Sequence, residues 1–367
     1  MARLRFLVAG AVIALFCVSS LSADWPFFRG NPAQTGVTAE KLPDKLDIRW
    51  QTKLKRGIGS TAAIVDGIIY IGCYDEHLYA FDLKTGDQKW MFKGGSFKAA
   101  PSFYQGAIYI GDEDGTFYCV DAAKGAERWH FETDFTITGG ANFAGNLVLF
   151  AAHDSTLYAL DRDKGKLAWK YKTKQGPIYG STVIADNQTF VVGCDSMLHI
   201  VSVKDGKGIA QIELSGQSGS TTAFRDGKLY VPNMGSEVQA IDLAKQKIIW
   251  SFAPNPVQGF NSSAAVTDKR VFVGGDEGNV HAIDAVKGTE IWKFETNKGR
   301  IESSPVVAGN RVYVGTTSGD LFVLGTDKGT KIQEMKLGRG IVGSPAVSDG
   351  CVVIGTTDGK LYCLGKK

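Results

Sequence analysis

Tyr70-Ile71-Gly72-Cys73-Tyr74-Asp75-Glu76-His77-Leu78-Tyr79-Ala80-Phe81-Asp82, continued by Lys84-Thr85-Gly86 and Trp90, is a unit that the chain repeats. It returns at Tyr109 to Trp129, Leu149 to Trp169, Phe190 to Ala210, Tyr230 to Trp250, Phe272 to Trp292 and Tyr313 to Gln333. An eighth copy, Val353 to Leu364, stops short of its Trp position. Successive copies are displaced by 39, 40, 41, 40, 42, 41 and 40 residues. A period near 40 that carries several short strands specifies a radial or stacked β-array. Within the first unit the pattern predicts four strands: Ile58 to Ile64, Ile68 to Gly72, His77 to Asp82 and Gln88 to Phe92. Four short strands per period describe one propeller blade. Asp66-Gly67, Asp226-Gly227 and Asp349-Gly350 supply the positive φ that a two-residue hairpin requires.

The expected fold is all-β: an eight-bladed β-propeller of four-stranded antiparallel blades. Trp50 lies 40 residues before Trp90, yet no first three strands precede it, and the last copy lacks a fourth strand. The segment Leu46 to Leu54 is therefore expected to complete the C-terminal blade, which removes an exposed sheet edge. The innermost strands are rich in small residues, among them Ser60-Thr61-Ala62, Ser181-Thr182, Ser220-Thr221, Ser262-Ser263-Ala264, Ser303-Ser304 and Gly343-Ser344. Bulky side chains would not fit where eight blades converge. The domain reading is 1–23 as a signal peptide, 24–45 as an N-terminal arm and 46–367 as the propeller.

The first 23 residues have a basic start (Arg3, Arg5), an apolar stretch from Phe6 to Val18 and small residues from Ser19 to Ala23. That order is an export signal cleaved after Ala23. The apolar run is too short for a retained spanning helix, and the bulky Phe16 before Cys17 argues against lipid attachment. Formal net charge is +3. The leader carries two arginines and no acid, so the remainder nets +1. That balance gives no electrostatic case for nucleic acid or an anionic membrane surface. The chain after the leader keeps Cys73, Cys119, Cys194, Cys351 and Cys363, with no CxxC and no adjacent pair. Zinc and redox motifs are therefore absent. Cys351 and Cys363 fall on neighbouring strands, where a disulfide is conceivable in an oxidising compartment.

The spacing Ala80, Gly86, Trp90 recurs as Cys119, Gly125, Trp129, as Ala159, Gly165, Trp169 and as Ala282, Gly288, Trp292; Ala240, Gln246, Trp250 follows it less completely. This resembles the tryptophan-docking motif of the pyrroloquinoline-quinone (PQQ) repeat propellers, in which the indole packs between blades against the Ala and Gly positions. The resemblance implies a structural role for Trp50, Trp90, Trp129, Trp169, Trp250 and Trp292. Copies four and seven depart, with Ala210 and Gln333 in the Trp position, and those junctions are expected to be the weaker ones.

The resemblance covers nearly the whole chain after the leader and joins two functional classes. Quinoprotein dehydrogenases use the fold to hold PQQ and calcium. Non-enzymatic propellers, similar to the outer-membrane assembly factor BamB, carry the repeat alone. Trp25-Pro26-Phe27-Phe28-Arg29-Gly30 also resembles the W-x-x-F-R-G opening of exported, repeat-only members. In the dehydrogenases adjacent cysteines wall the cofactor and long insertions carry the active site; this chain has neither, so no PQQ or calcium ligand is assigned. The acidic loops at Asp75-Glu76, Asp112 to Gly115, Asp276 to Asn279 and Asp358-Gly359 read as turn chemistry, since no bidentate Glu closes a calcium loop. His77, His199 and His281 read as strand-surface residues, and no catalytic triad order is present.

The remaining asymmetry lies at the entries to the innermost strands. Arg300, Arg339, Arg56 and Lys98 come from blades seven, eight, one and two, while Phe135, Tyr179, Gln217 and Phe260 come from blades three to six. A mouth basic on one side and aromatic-neutral on the other is expected, suited to an anionic or extended peptide segment of another envelope protein. The functional expectation is an exported, monomeric, non-enzymatic binding or scaffold propeller without a cofactor. The alternative is a small PQQ-dependent dehydrogenase or sugar-processing enzyme.

Overall fold

The computed structural model describes residues 24–174, 176–254 and 259–367. The leader, with Cys17 and the cleavage position, lies outside the described residues. The described chain is all-β, and its strands form eight sheets arranged as one propeller. Blade one shows the unit: Ala63–Val65, Ile68–Cys73, His77–Asp82 and Gln88–Lys93, each antiparallel to the next. Blade eight is built from Ala346–Ser348, Cys351–Gly355 and Lys360–Gly365, with Asp47–Lys53 added as its outermost strand. The ring is therefore closed by both ends of the propeller chain. The Asp-Gly hairpins adopt the required left-handed pair, with φ of 51° and 71° at Asp66-Gly67 and 50° and 68° at Asp349-Gly350.

The innermost strands begin later than the sequence pattern suggests. Ile58 to Ala62 precede the strand, which runs only from Ala63 to Val65. Hydrogen bonding explains the difference. Backbone N–H groups at this level do not join a ladder within their own blade but reach sideways to a hydroxyl of the next. Gly140, Ser181, Thr221, Ser263, Ser304 and Ser344 donate to the hydroxyls of Ser181, Thr221, Ser263, Ser304, Ser344 and Thr61, respectively, at 2.8–3.0 Å. At the other two junctions the hydroxyl is the donor, from Ser60 to the Ala99 carbonyl and from Ser102 to the Ala141 carbonyl, at 2.7 and 2.8 Å. Every junction of the ring is thus stapled next to the axis. The small residues are there for this girdle as much as for lack of space.

Farther out, each docking Trp lies against the following blade. The indoles of Trp50, Trp90, Trp129, Trp169, Trp250 and Trp292 cover Gly86, Gly125, Gly165, Gly206, Gly288 and Gly329, where a Cβ would come within 2.5–2.8 Å of the ring. Their Nε1–H groups donate to the carbonyls of Leu83, Ala122, Arg162, Val203, Ala285 and Thr326 at 2.9–3.1 Å. The Ala of the motif plays a different part, facing its own blade's Trp across the strands, as Ala80 faces Trp90. The two exceptions are paired. Ala210 faces a turn that carries Gln246 at φ 53° instead of glycine. Gln333 faces blade eight, whose corresponding turn is replaced by the entering chain. Its amide accepts from Leu46 N–H at 2.9 Å and donates to Leu46 C=O at 2.7 Å.

One further expectation is corrected. His199 and His281 are buried, each 1% exposed, and are not surface residues. They replace a strand tyrosine and inherit its bond to a loop carboxylate four residues earlier. Tyr79 bonds Asp75 and Tyr158 bonds Asp154; His199 bonds Asp195 at 2.8 Å and His281 bonds Glu277 at 2.6 Å. Cys351 and Cys363 are free thiols; Cys363 faces Val353, and Arg49 Nη1 lies 2.7 Å from the Cys351 sulfur.

Candidate functional site

The arm at 24–45 has a role beyond its sequence reading. It sweeps around the hairpin end of the channel, touching the inner strand of one blade after another. Trp25 bridges Ile64 of blade one, Pro26 C=O accepts from Phe103, Pro32 from Ile184, Ala33 from Phe224, Thr35 from Val266 and Gly36 from Val307. Val37–Thr38 then pairs in parallel with Val306–Ala308, and Glu40 accepts from Gly350 of blade eight. The W-x-x-F-R-G residues anchor this plug. Trp25 is 1% exposed and lies against Gly30, whose φ of 83° and missing Cβ allow the approach. Arg29 is fully buried and donates to the carbonyls of Ser304, Ala264 and Pro305. Burial lowers its pKa from the usual 12.5 to about 9, so it stays cationic at neutral pH.

With one end plugged, the axial channel is a blind shaft of about 560 Å³ that opens on the loop side. Its wall consists of stacked rings, one residue per blade. The deepest ring is the hydroxyl girdle, and Phe28 of the plug closes it from below. Two residues earlier in each strand entry comes the throat: Lys98, Thr138, Tyr179, Asn261, Glu302 and Val342, with Gly59 and Gly219 completing it. The glycines make room for side chains of the loop above. A Cβ at Gly59 would lie 2.0 Å from Tyr74 Oη, and one at Gly219 would lie 3.1 Å from Met234 Cε. Loops and strand entries share this end, as Tyr74 N–H to Gly57 C=O and Thr357 N–H to Gly340 C=O demonstrate.

The expected mouth residues divide into three groups. Lys98 and Tyr179 line the throat. Arg56, Phe135, Gln217, Arg300 and Arg339 are exposed on the surrounding strand entries and do not line the shaft. Phe260 is fully buried in the apolar core between blades, so it is removed from the mouth; its neighbour Asn261 faces the throat in its place. Repeat alignment carries the signal for this correction, because Phe260 occupies the position of Ile58, Phe97 and Ile137, all buried. Sequence reasoning also missed Tyr74, Met234 and Glu302.

At neutral pH the entrance holds few titrating groups. Burial, with Glu113 and Glu302 nearby, pushes the Tyr74 phenol up to about 12, leaving a neutral O–H donor. Burial and then the Lys98 charge hold His153 below its usual range, and its ring sits 2.9 Å from the Thr138 hydroxyl. Among the described residues no group of three His, Cys, Asp or Glu side chains is placed to hold a metal ion. The loop carboxylates are instead committed to turns: Asp112 accepts from Gly95, Asp114 and Thr116 N–H and from the Tyr118 hydroxyl. No helix of the described residues is long and apolar enough to cross a membrane.

A family model described as outer membrane protein assembly factor BamB matches residues 93–231 and 234–332, more than half of the chain. No curated protein sequence matches significantly. Among solved structures, BamB from Moraxella catarrhalis superposes with a TM-score of 0.74 at 16% identity, covering 88% of this chain and 100% of that one. The quinohemoprotein alcohol dehydrogenase from Comamonas testosteroni gives 0.80 at 16% identity, over 94% of this chain and 81% of that one. The computationally designed protein Ika8 gives 0.77 at 19% identity, over 86% and 98%. At such identities these structures share the fold, and the fold alone is common to an assembly factor, a dehydrogenase and a design.

Proposed function

The chain belongs to the BamB family of PQQ-repeat propellers, and from that premise we propose that it is an exported, non-enzymatic binding propeller of the cell envelope. Its partner is a segment of another envelope protein, held at the open mouth of the shaft. The observation that carries this reading is the asymmetry of the two ends. One end is sealed by the arm. The other displays Arg300, Arg339, Arg56 and Lys98 from four successive blades, all exposed and without a side-chain partner among the described residues. Uncommitted cations on one side of a mouth that also carries Tyr74, Tyr179 and the 60%-exposed Phe135 suit an acidic, extended segment. Export rests on the leader's three-part pattern.

The donor set argues against the quinoprotein alternative. Calcium takes six to eight oxygen ligands, several of them carboxylates, and alcohol oxidation needs a further carboxylate base. Among the described residues the shaft lining contains a single carboxylate, Glu302, for both tasks. These residues do not fit PQQ and calcium.

Charge reversal tests the assignment. The Arg56→Glu/Arg339→Glu protein, used as bait in envelope extract, is expected to recover its partner about five-fold less than the unaltered protein, with a steeper loss at low salt. Equal recovery removes the basic arc from the reading. Incubation with PQQ and calcium is expected to give no dye-linked alcohol oxidation; turnover would overturn the non-enzymatic assignment.

A further inference from the structure

The shaft has its own chemistry, separate from that of the exposed arc. In the deep ring, the hydroxyls of Thr61, Ser181, Thr221, Ser263, Ser304 and Ser344 each accept a backbone N–H from the neighbouring blade. None of the six donates its own proton to an acceptor among the described residues, and all six line the cavity. A hydroxyl that accepts from an N–H is a better donor for being polarised. Six such donors therefore converge on one volume without protein acceptors.

Charge selects what they are for. The Arg29 guanidinium sits directly behind the floor, bonded to the carbonyl of the ring residue Ser304. Its hydrogen bonds go to carbonyls only, it lies 5.8 Å from the centroid of the Phe28 ring, and its Nε is buried without a hydrogen-bond partner. No carboxylate neutralises it. At the throat Lys98 and Glu302 carry opposite charges on blades two and seven, while at the mouth Glu113 is held by Ser96 and Asp276 by Asn261. The deep end is thus left with an uncompensated positive charge and an excess of donors, a setting for an oxyanion and not for an amine. Shape selects further, because a shaft closed at one end admits a chain end but not a loop. Its volume, about 560 Å³, falls in the range of small-ligand sites, about 300–1,000 Å³.

We propose that the blind axial shaft binds the terminal carboxylate of an extended peptide chain, seated on the hydroxyl ring above Arg29, with Lys98 at the throat and Tyr74 and Tyr179 flanking the preceding residues. This deepens the binding-propeller reading and rests on it for the identity of the chain as a partner segment.

Titration calorimetry at low ionic strength on the unaltered protein, with tetraglycine as the free acid and as the C-terminal amide, tests the proposal. The acid is expected to bind about ten-fold more tightly than the amide. Val342→Trp, which obstructs the throat without touching the ring, is expected to abolish acid binding at unchanged melting temperature, and Lys98→Gln to weaken it. Equal affinity of acid and amide, or binding of neither, overturns the proposal without recourse to any variant. Acetate or inorganic phosphate binding as tightly as the peptide acid also overturns it, since a free anion and not a chain end would then be the occupant. If acid and amide bind alike while the Arg56/Arg339 variant still loses its partner, this inference fails and the binding-propeller reading stands.

Discussion

Arg29→Met is expected to lower the stability of the propeller by about 3 kcal/mol, through the loss of hydrogen bonds from a buried charged group. On a domain of this size that is a fall of about 4 °C in melting temperature. The guanidinium is completely buried and holds three carbonyls, one on blade six and two on blade seven, from a chain position some 235 to 276 residues away. Methionine has similar length and removes the desolvation cost, but it leaves those carbonyls without their donors. Arg29→Lys separates charge from geometry, since a lysine keeps the cation and loses the planar fork. It is expected to fall between the two. A melting temperature for Arg29→Met within about 1 °C of the unaltered protein would mean that the arm lies on the ring without anchoring it.

Trp90→Ala is expected to cost about 3–5 kcal/mol, the range for truncating a large aromatic in a packed site. The indole fills the junction between blades one and two, its ring on Gly125 and its N–H on the Ala122 carbonyl at 2.9 Å. The converse experiment uses the junction that lacks the device. Ala210→Trp alone is expected to destabilise, because the new ring would meet the side chain of Gln246, where every docked Trp has glycine. Combined with Gln246→Gly, which also relaxes a left-handed non-glycine residue, the same substitution is expected to become favourable, with a coupling of about 1 kcal/mol. Additive effects in thermal or denaturant unfolding would show that the indole and the glycine do not act as a pair.

These two sites also mark how far the sequence could be read. The docking tryptophans, the Asp-Gly hairpins and the closure through Asp47–Lys53 were legible because each shows as a local pattern, or as a gap in one, when the copies of the repeat are laid side by side. His77 to Asp82 matches the observed strand at both ends. The innermost strand was misjudged at its start because Ser, Thr and Gly there bond sideways to the next blade, about 40 residues on, a partner that no local periodicity reveals. The plug was invisible for a stronger version of the same reason, since the partners of Arg29 lie in blades six and seven. Within the mouth, the strand entries were placed at the correct end but without a common register. Mixing register positions put Phe260, a core residue, beside Lys98, a throat residue. Aligning all eight copies on Ile58 and its equivalents separates buried, throat and rim positions. That alignment draws Tyr74, Met234 and Glu302 into the site.

The central claim is that the open, loop-side mouth is the working face and the plugged end is not. Site-specific photocross-linking in intact cells tests it most directly, with a photoreactive residue in place of Arg339 at the mouth or of Gly145 on a hairpin at the plugged end, where the surroundings are open. The account predicts a discrete cross-linked adduct of defined mass from position 339 and none from position 145. An adduct from position 145 with none from position 339 would contradict it.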